Sequence, residues 1–262
     1  MSESVSYMKL NGKVAIITGA GSGIGRATAI LMAKEGAKVL VVDVNDKGGQ
    51  ETVDAIRHDG GQAFFSRADV SKPADCEKMV KTALREYGKL DILFNNAGVV
   101  HVGTITETSE EDWDRVLDIN LKGVFLASKY AIPEMLRTGG GAIVNTGSIY
   151  GNLGAGSYSA YCASKGGVIN LTRALAMEYA EKNIRVNCVC PGSVMTAMLQ
   201  QEIDILAPDN PEEQKRKFAE MQPIHRLASP EEIAKVVLFL SSDDASNMTG
   251  ASVNVDGGFS AQ

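Results

Sequence analysis

The chain has 262 residues, 44% of them hydrophobic, a formal net charge of −6 and no basic block. That length suits a single α/β domain over residues 1–262, and the acidic balance weighs against nucleic acid or an anionic membrane as a partner. Residues 1–10 carry no leader-like apolar stretch and no run is long enough to cross a bilayer, so a cytoplasmic protein is expected.

Strand and helix patterns alternate along the chain. A buried strand is predicted over 13–18, then a glycine-rich turn, then a helix over 23–35 with Gly36 at its C-cap. A second strand covers 38–43 and a polar-faced helix 46–59. A short third strand covers 63–66, and Pro73 opens a helix reaching Tyr87 and stopping at Gly88. The fourth strand spans 90–95. Ser109 caps a long helical stretch to Arg137, with Asp112 completing an imperfect capping box and a break expected near 120–123. Strands follow at 141–146, 184–190 and 252–255, with helices at 158–181 and 230–240. Continuous apolar strands separated by helices predict a doubly wound Rossmann fold: a seven-stranded parallel sheet covered on both faces. The charged, methionine-rich stretch 195–226 breaks the rhythm and reads as a loop-plus-helix insert, either a lid or a surface excursion.

The four cysteines, Cys76, Cys162, Cys188 and Cys190, lack CxxC spacing and read as reduced thiols. Cys188 and Cys190 share one face of a strand but are too few to hold a metal, and no metal site is expected.

The stretch Thr18-Gly19-Ala20-Gly21-Ser22-Gly23-Ile24-Gly25 joins the first strand to the first helix. Glycines there let the backbone turn sharply and approach a pyrophosphate, and the helix end offers free N–H groups to the anion. Asp43 ends the second strand, where a carboxylate accepts the adenosine ribose hydroxyls and repels a 2′-phosphate. Neither Ser22 nor Val44 offsets that charge, so NAD is expected rather than NADP. Asp69-Val70 and Asn95-Asn96-Ala97-Gly98 follow the third and fourth strands, at the sheet edge where ligands bind in such folds. Asn96 either touches the cofactor or braces the sheet.

Tyr161 and Lys165 stand four apart on a predicted helix and so share a face. Ser148, after the fifth strand, can converge on them. A phenol titrates near ~10, and a neighbouring ammonium together with a nicotinamide cation could lower that by ~2–3 units, roughly 3–4 kcal/mol, making it a usable acid/base. The pair alone is a weak pattern. It gains weight from the glycine loop.

Together these residues resemble the short-chain dehydrogenase/reductase family over nearly the whole chain. The resemblance is carried by Thr18-Gly19 with Gly23-Ile24-Gly25, by Asn95-Asn96-Ala97-Gly98, and by Asn120 in Asn-Leu-Lys-Gly. It is completed by Ser148, Tyr161-Cys-Ala-Ser-Lys165, and Pro191-Gly192 with Val194 and Thr196. It implies that Tyr161 is the general acid/base, that Lys165 holds the nicotinamide ribose and lowers the phenol's pKa, and that Ser148 bonds the reacting oxygen. It implies that Asn120 kinks its helix and holds a water in a relay towards Lys165. Gly19, Ser22, Gly23, Ile24, Gly25, Asp43, Asp69, Val70, Asn96, Ala97, Gly98, Gly192, Val194 and Thr196 would bind the cofactor with Tyr161 and Lys165. The family also implies a homotetramer, in keeping with the apolar Val168, Leu171, Ala174, Leu175 and Tyr179; burial within the domain would explain the same residues.

Residues after Gly98, after Ser148 and in 195–226 nominate His101, Tyr150, Leu153, Tyr158, Met195 and Met198 as a mostly apolar substrate wall. The expected substrate is a medium-sized, uncharged secondary alcohol or ketone, cyclic or polyol. Two alternatives share these features: a 3-oxoacyl-thioester reductase, and a non-catalytic dinucleotide sensor. Tyr158 with Lys165 also fits Tyr-x6-Lys, a spacing of an enoyl-thioester reductase branch, although Ser148 with Tyr161 favours carbonyl chemistry.

Overall fold

The computed structural model describes residues 8–261. Residues 1–7, most of the stretch inspected for a leader, and Gln262 lie outside the described residues. Seven parallel strands form one sheet: β1 (Val14–Thr18), β2 (Lys38–Asp43), β3 (Gln62–Arg67), β4 (Ile92–Asn95), β5 (Gly141–Thr146), β6 (Ile184–Pro191) and β7 (Ser252–Val255). Their order is β3-β2-β1-β4-β5-β6-β7. The chain reverses its direction of travel between β1 and β4, and there the carboxyl ends of the strands open a crevice.

Alternation along each strand builds two cores. In β1, Ala15 and Ile17 pack with Val39, Val41, Ile92 and Phe94 against α1 (Gly23–Lys34), α2 (Asp46–His58) and a late helix at Pro230–Ser241. The intervening Ile16, with Leu40, Val42 and Leu93, faces α3 (Pro73–Tyr87) and the helix over Gly123–Arg137. All five β1 residues are buried, as the unbroken apolar run requires.

Between α3 and β5 the break falls where expected. Helix α4 (Glu110–Leu117) passes through a π turn at Asp118–Lys122 into α5 (Gly123–Arg137). Ser109 Oγ accepts the Asp112 N–H at 3.0 Å and donates to its carboxylate at 2.7 Å, so the box closes on the cap's hydroxyl and leaves its backbone N–H aside. Helix α6 (Ser159–Tyr179) crosses back to β6. A buried ladder fixes it: Asn95 Nδ2 donates to Asn145 Oδ1 at 2.8 Å, and Asn145 Nδ2 to Thr172 Oγ1 at 2.9 Å. Val168, Leu175 and Tyr179 pack inside the subunit, so their apolar character is accounted for without a second copy.

The 195–226 stretch departs from the expected loop-plus-helix by holding two helices, α7 (Ala197–Leu206) and α8 (Pro211–Glu220). Thr196 caps α7 by accepting the Leu199 N–H, and Asn210 caps α8 ahead of Pro211, Glu212 and Glu213. Leu199, Ile203 and Phe218 form a small separate core. The ninth helix, α9, is the one at Pro230–Ser241. Among the described residues no helix is long and apolar enough to cross a membrane, no cluster of side chains could hold a metal ion, and all four cysteines are free thiols.

Candidate active site

A cavity of about 370 Å³ lies at the carboxyl edge of the sheet. At one end the glycine loop enters it. Gly19 and Gly23 have φ of +63° and +51°, and a Cβ on Gly19 would stand 2.9 Å from the Ala97 backbone. Ser22, Gly23 and Ile24 line the cavity where α1 begins, and no side chain caps that end. This uncapped helix terminus is the anion seat the glycine pattern calls for. Gly25 stands outside the lining because it packs inward: a Cβ there would lie 2.2 Å from the Gly19 carbonyl. Gly25→Ala is therefore expected to weaken dinucleotide binding more than tenfold and to cost about 1–3 kcal/mol of stability. Fluorescence titration with a reduced dinucleotide and a thermal melt check both.

Asp43 lines the same end. One carboxylate oxygen accepts the Gly21 N–H at 2.8 Å and the other the Asn45 N–H at 2.9 Å. The carboxylate is thus held rigidly beside the loop. Asp69, Val70, Ala97 and Gly98 also line the cavity. The Asp69 carboxylate is turned onto its own loop, accepting from the Ser71 N–H and hydroxyl at 2.9 and 2.7 Å. Asn96 lines the cavity as well, and its amide also braces the sheet by donating to the carbonyls of Thr18 and Gly19 at 3.0 and 3.2 Å. Gly192, Val194 and Thr196 complete this wall beyond β6.

At the other end α6 presents Tyr161 and Lys165 one turn apart, with Ser148 opposite. Ser148 Oγ accepts the Tyr150 N–H at 3.1 Å. Lys165 is buried and donates to the Thr146 carbonyl at 2.8 Å, with its ammonium 5.6 Å from the centre of the Tyr161 ring. Burial pushes the Tyr161 phenol up to about 12, with the neighbouring Ser148 side chain opposing the rise. Burial also pulls the Lys165 amine down to about 8. Among the chain's own groups desolvation is the largest influence on the phenol, while the lowering expected from the sequence rests also on the nicotinamide cation. The Thr146 hydroxyl, beside Lys165 in the lining, is buried without a partner and so presents an unused polar atom to a ligand.

Asn120 lies behind this face, in the π turn. Its carbonyl oxygen accepts the Val99 N–H at 2.8 Å; its amide donates to the Val99 carbonyl at 2.9 Å and to Ser164 Oγ at 3.1 Å. Ser164 in turn donates to the Tyr161 carbonyl at 2.8 Å. The side chain thereby ties the loop after β4 to the turn of α6 that carries the tyrosine.

Of the residues nominated for the substrate wall, Tyr150, Tyr158 and Met198 line the cavity, while His101, Leu153 and Met195 do not. His101 turns towards the start of α4, its Nδ1 3.8 Å from an Asp112 carboxylate oxygen. Leu153 and Met195 are 40% and 38% exposed beside it. Missing from the sequence reading are Val99, Ile149, Leu199, Phe218 and Glu202. Glu202 is the unexpected one, a half-buried carboxylate in a wall expected to be apolar. Tyr158 donates its hydroxyl to Glu202 Oε1 at 2.5 Å.

The chain matches a sequence family described as "Enoyl-(Acyl carrier protein) reductase" over residues 19–260. It is 44% identical to the cyclohexanol dehydrogenase of Acinetobacter sp. (strain SE19), across 99% of this chain and 100% of that protein. It is 38% identical to the 3-oxoacyl-[acyl-carrier-protein] reductase FabG of Thermotoga maritima, across 96% and 99%. The crystal structure of a levodione reductase superposes with a TM-score of 0.94 at 39% identity, covering 96% of this chain and 99% of that one. The chain belongs to the short-chain dehydrogenase/reductase family and is a hydride-transferring oxidoreductase. That family implies a nicotinamide dinucleotide cofactor, and the glycine loop, the uncapped α1 terminus and the unpartnered Thr146 hydroxyl fit one.

Proposed function

We propose that this protein interconverts a medium-sized, uncharged secondary alcohol and its ketone with NAD(H), Tyr161 serving as acid/base. The observation that carries the reading is the meeting of Tyr161, Ser148 and buried Lys165 in the lining of one cavity that continues to Asp43. The bound dinucleotide supplies the hydride acceptor or donor. The chain's residues manage the oxygen and its proton. Ser148 and Tyr161 hold the reacting oxygen, and Tyr161 gives up its O–H proton as a carbonyl becomes an alcohol or recovers it in the reverse direction. Lys165 orients the ribose and stabilises phenolate. Asn120 fixes the loop and helix around them and, through its π turn, offers a place for a relay water.

Tyr158 belongs to a different pair. Its hydroxyl goes to Glu202, while Ser148 and Tyr161 share the cavity lining with Lys165, which favours carbonyl over enoyl chemistry. Asp43 favours NAD, and with it an alcohol dehydrogenase over the thioester reductase alternative. Initial rates with a panel of cyclic and linear secondary alcohols and ketones test the reading; turnover confined to acyl thioesters would refute it. Wild-type kcat/KM is expected to favour NAD over NADP. Asp43→Ser should reduce that preference by at least about tenfold, because it removes two charge-assisted acceptors and a repulsive charge.

The free cysteines suit a reducing compartment such as the cytoplasm. The family pattern points to a homotetramer. Exposed Phe125 and Met177, on α5 and α6, suit contact between copies, and sedimentation equilibrium measures it.

A further inference from the structure

The only carboxylates lining the cavity among the described residues are Asp43 and Asp69 at the glycine-loop end, and Glu202 at the other. Asp43 accepts the Gly21 and Asn45 N–H groups on its two oxygens, and Asp69 accepts the Ser71 N–H and hydroxyl on one of its own. Glu202 is different. It projects from α7 into the end that holds Tyr150, Tyr158 and Tyr161, and its charge is felt at all three phenols. Tyr158 occupies Oε1. Oε2 forms no hydrogen bond within the chain, and the half-buried side chain leaves it accessible.

A buried carboxylate with a free oxygen is costly in an otherwise apolar wall unless something donates to it. Tyr158 stays protonated, since burial and the carboxylate both push its phenol up, so it remains a donor and cannot compete for Oε2. The rings of Tyr150 and Tyr158, 5.5 Å apart between centres, fix the position of that donor. Once a substrate displaces water from this end of the cavity, the oxygen is left to accept a hydroxyl from it.

Resting on the alcohol–ketone reading above, we propose that Glu202 is a specificity residue that accepts a second hydroxyl, so that the preferred substrate is a diol or hydroxyketone. Tyr158 is its positioning residue, holding the carboxylate in one orientation. A lone alcohol leaves the carboxylate unsatisfied, and an anionic substrate meets repulsion.

The test compares cyclohexanol, trans-cyclohexane-1,2-diol and trans-2-aminocyclohexanol, all on one ring. Wild-type kcat/KM is expected to favour the diol over cyclohexanol by about tenfold or more, chiefly through KM, the range for hydrogen bonds to charged groups. In Glu202→Gln the amide oxygen still accepts from Tyr158, but the NH₂ that replaces Oε2 cannot accept. The diol-to-alcohol ratio should then fall towards one. That ratio is internal to each protein, so a partly unfolded preparation does not disturb it. If the variant is inert, the wild-type ratio alone decides. No diol preference in the wild type, a preference for the amino alcohol over the diol, or a ratio unchanged in Glu202→Gln would each overturn the proposal while leaving the alcohol dehydrogenase reading intact. If none of the three alcohols, nor cyclohexanone in reverse, is turned over, the functional reading fails and takes this inference with it.

Discussion

Tyr161→Phe is expected to lower kcat by about 10³-fold, inside the 10²–10⁴ range of a positioned general acid/base, while dinucleotide affinity changes less than threefold. The substitution removes one oxygen from a ring that otherwise keeps its place on α6. Initial rates and fluorescence titration of the reduced dinucleotide separate the two effects. Because burial pushes the phenol up to about 12, the wild-type protein at neutral pH carries its proton. It is ready to donate to a ketone and must lose the proton before it can accept one from an alcohol. Alcohol oxidation should therefore accelerate as pH rises and ketone reduction should not. A Tyr161→Phe protein that retained turnover would remove the tyrosine from the chemistry.

The second large effect is a trade between stability and rate at Lys165. Its amine titrates near 8 when folded and at 10.5 when unfolded, the lowering caused by burial. Between those values the unfolded chain binds more protons than the folded one, so stability rises with pH across that window. Below about 8 the full penalty is present, on the order of 3 kcal/mol for such a displacement. Lys165→Met removes it and loses the bond to the Thr146 carbonyl. The variant should be more stable than the wild type by about 1–3 kcal/mol at pH 7, and the gap should close by pH 10.5. Its kcat should fall by at least about 10²-fold. Urea unfolding at the two pH values and initial rates check the pair of outcomes. A less stable variant at pH 7 would show that the lysine is not held at a cost.

Much of this could be read in advance because it depends on short-range patterns. The run Val14–Thr18 has no polar residue to expose except at its end, so it can only be a strand buried on both faces. The glycines at 19 and 23 require positive φ, and Tyr161 and Lys165 share a face by helical spacing alone. The break around Asn120 was legible through the family motif; that it takes the form of a π turn was not. The substrate wall was harder. Tyr158 and Glu202 lie 44 residues apart, and nothing local links them. The signal that existed was Asn210-Pro211-Glu212-Glu213, a helix start that divides 195–226 into two helices. It would have put Met198 and Glu202 on one face of the first. His101, Leu153 and Met195 were nominated by nearness in sequence, but side-chain direction is set by contacts that spacing does not encode.

The base of the 195–226 excursion has a wider consequence. Val194 and Ala228 pair as a parallel bridge, with the Met195 N–H donating to the Ala228 carbonyl and the Ala228 N–H to the Ser193 carbonyl. The excursion leaves and re-enters the body of the protein at one point, and its helices keep a small core of their own in Leu199, Ile203 and Phe218. Closing a longer or shorter loop across a fixed gap changes the free energy only slowly with length. The segment therefore behaves as an exchangeable cassette. Replacing the two helices beyond Thr196 changes which alcohol is recognised, while Thr196, the strands that seat the cofactor and the helix that carries the tyrosine stay in place.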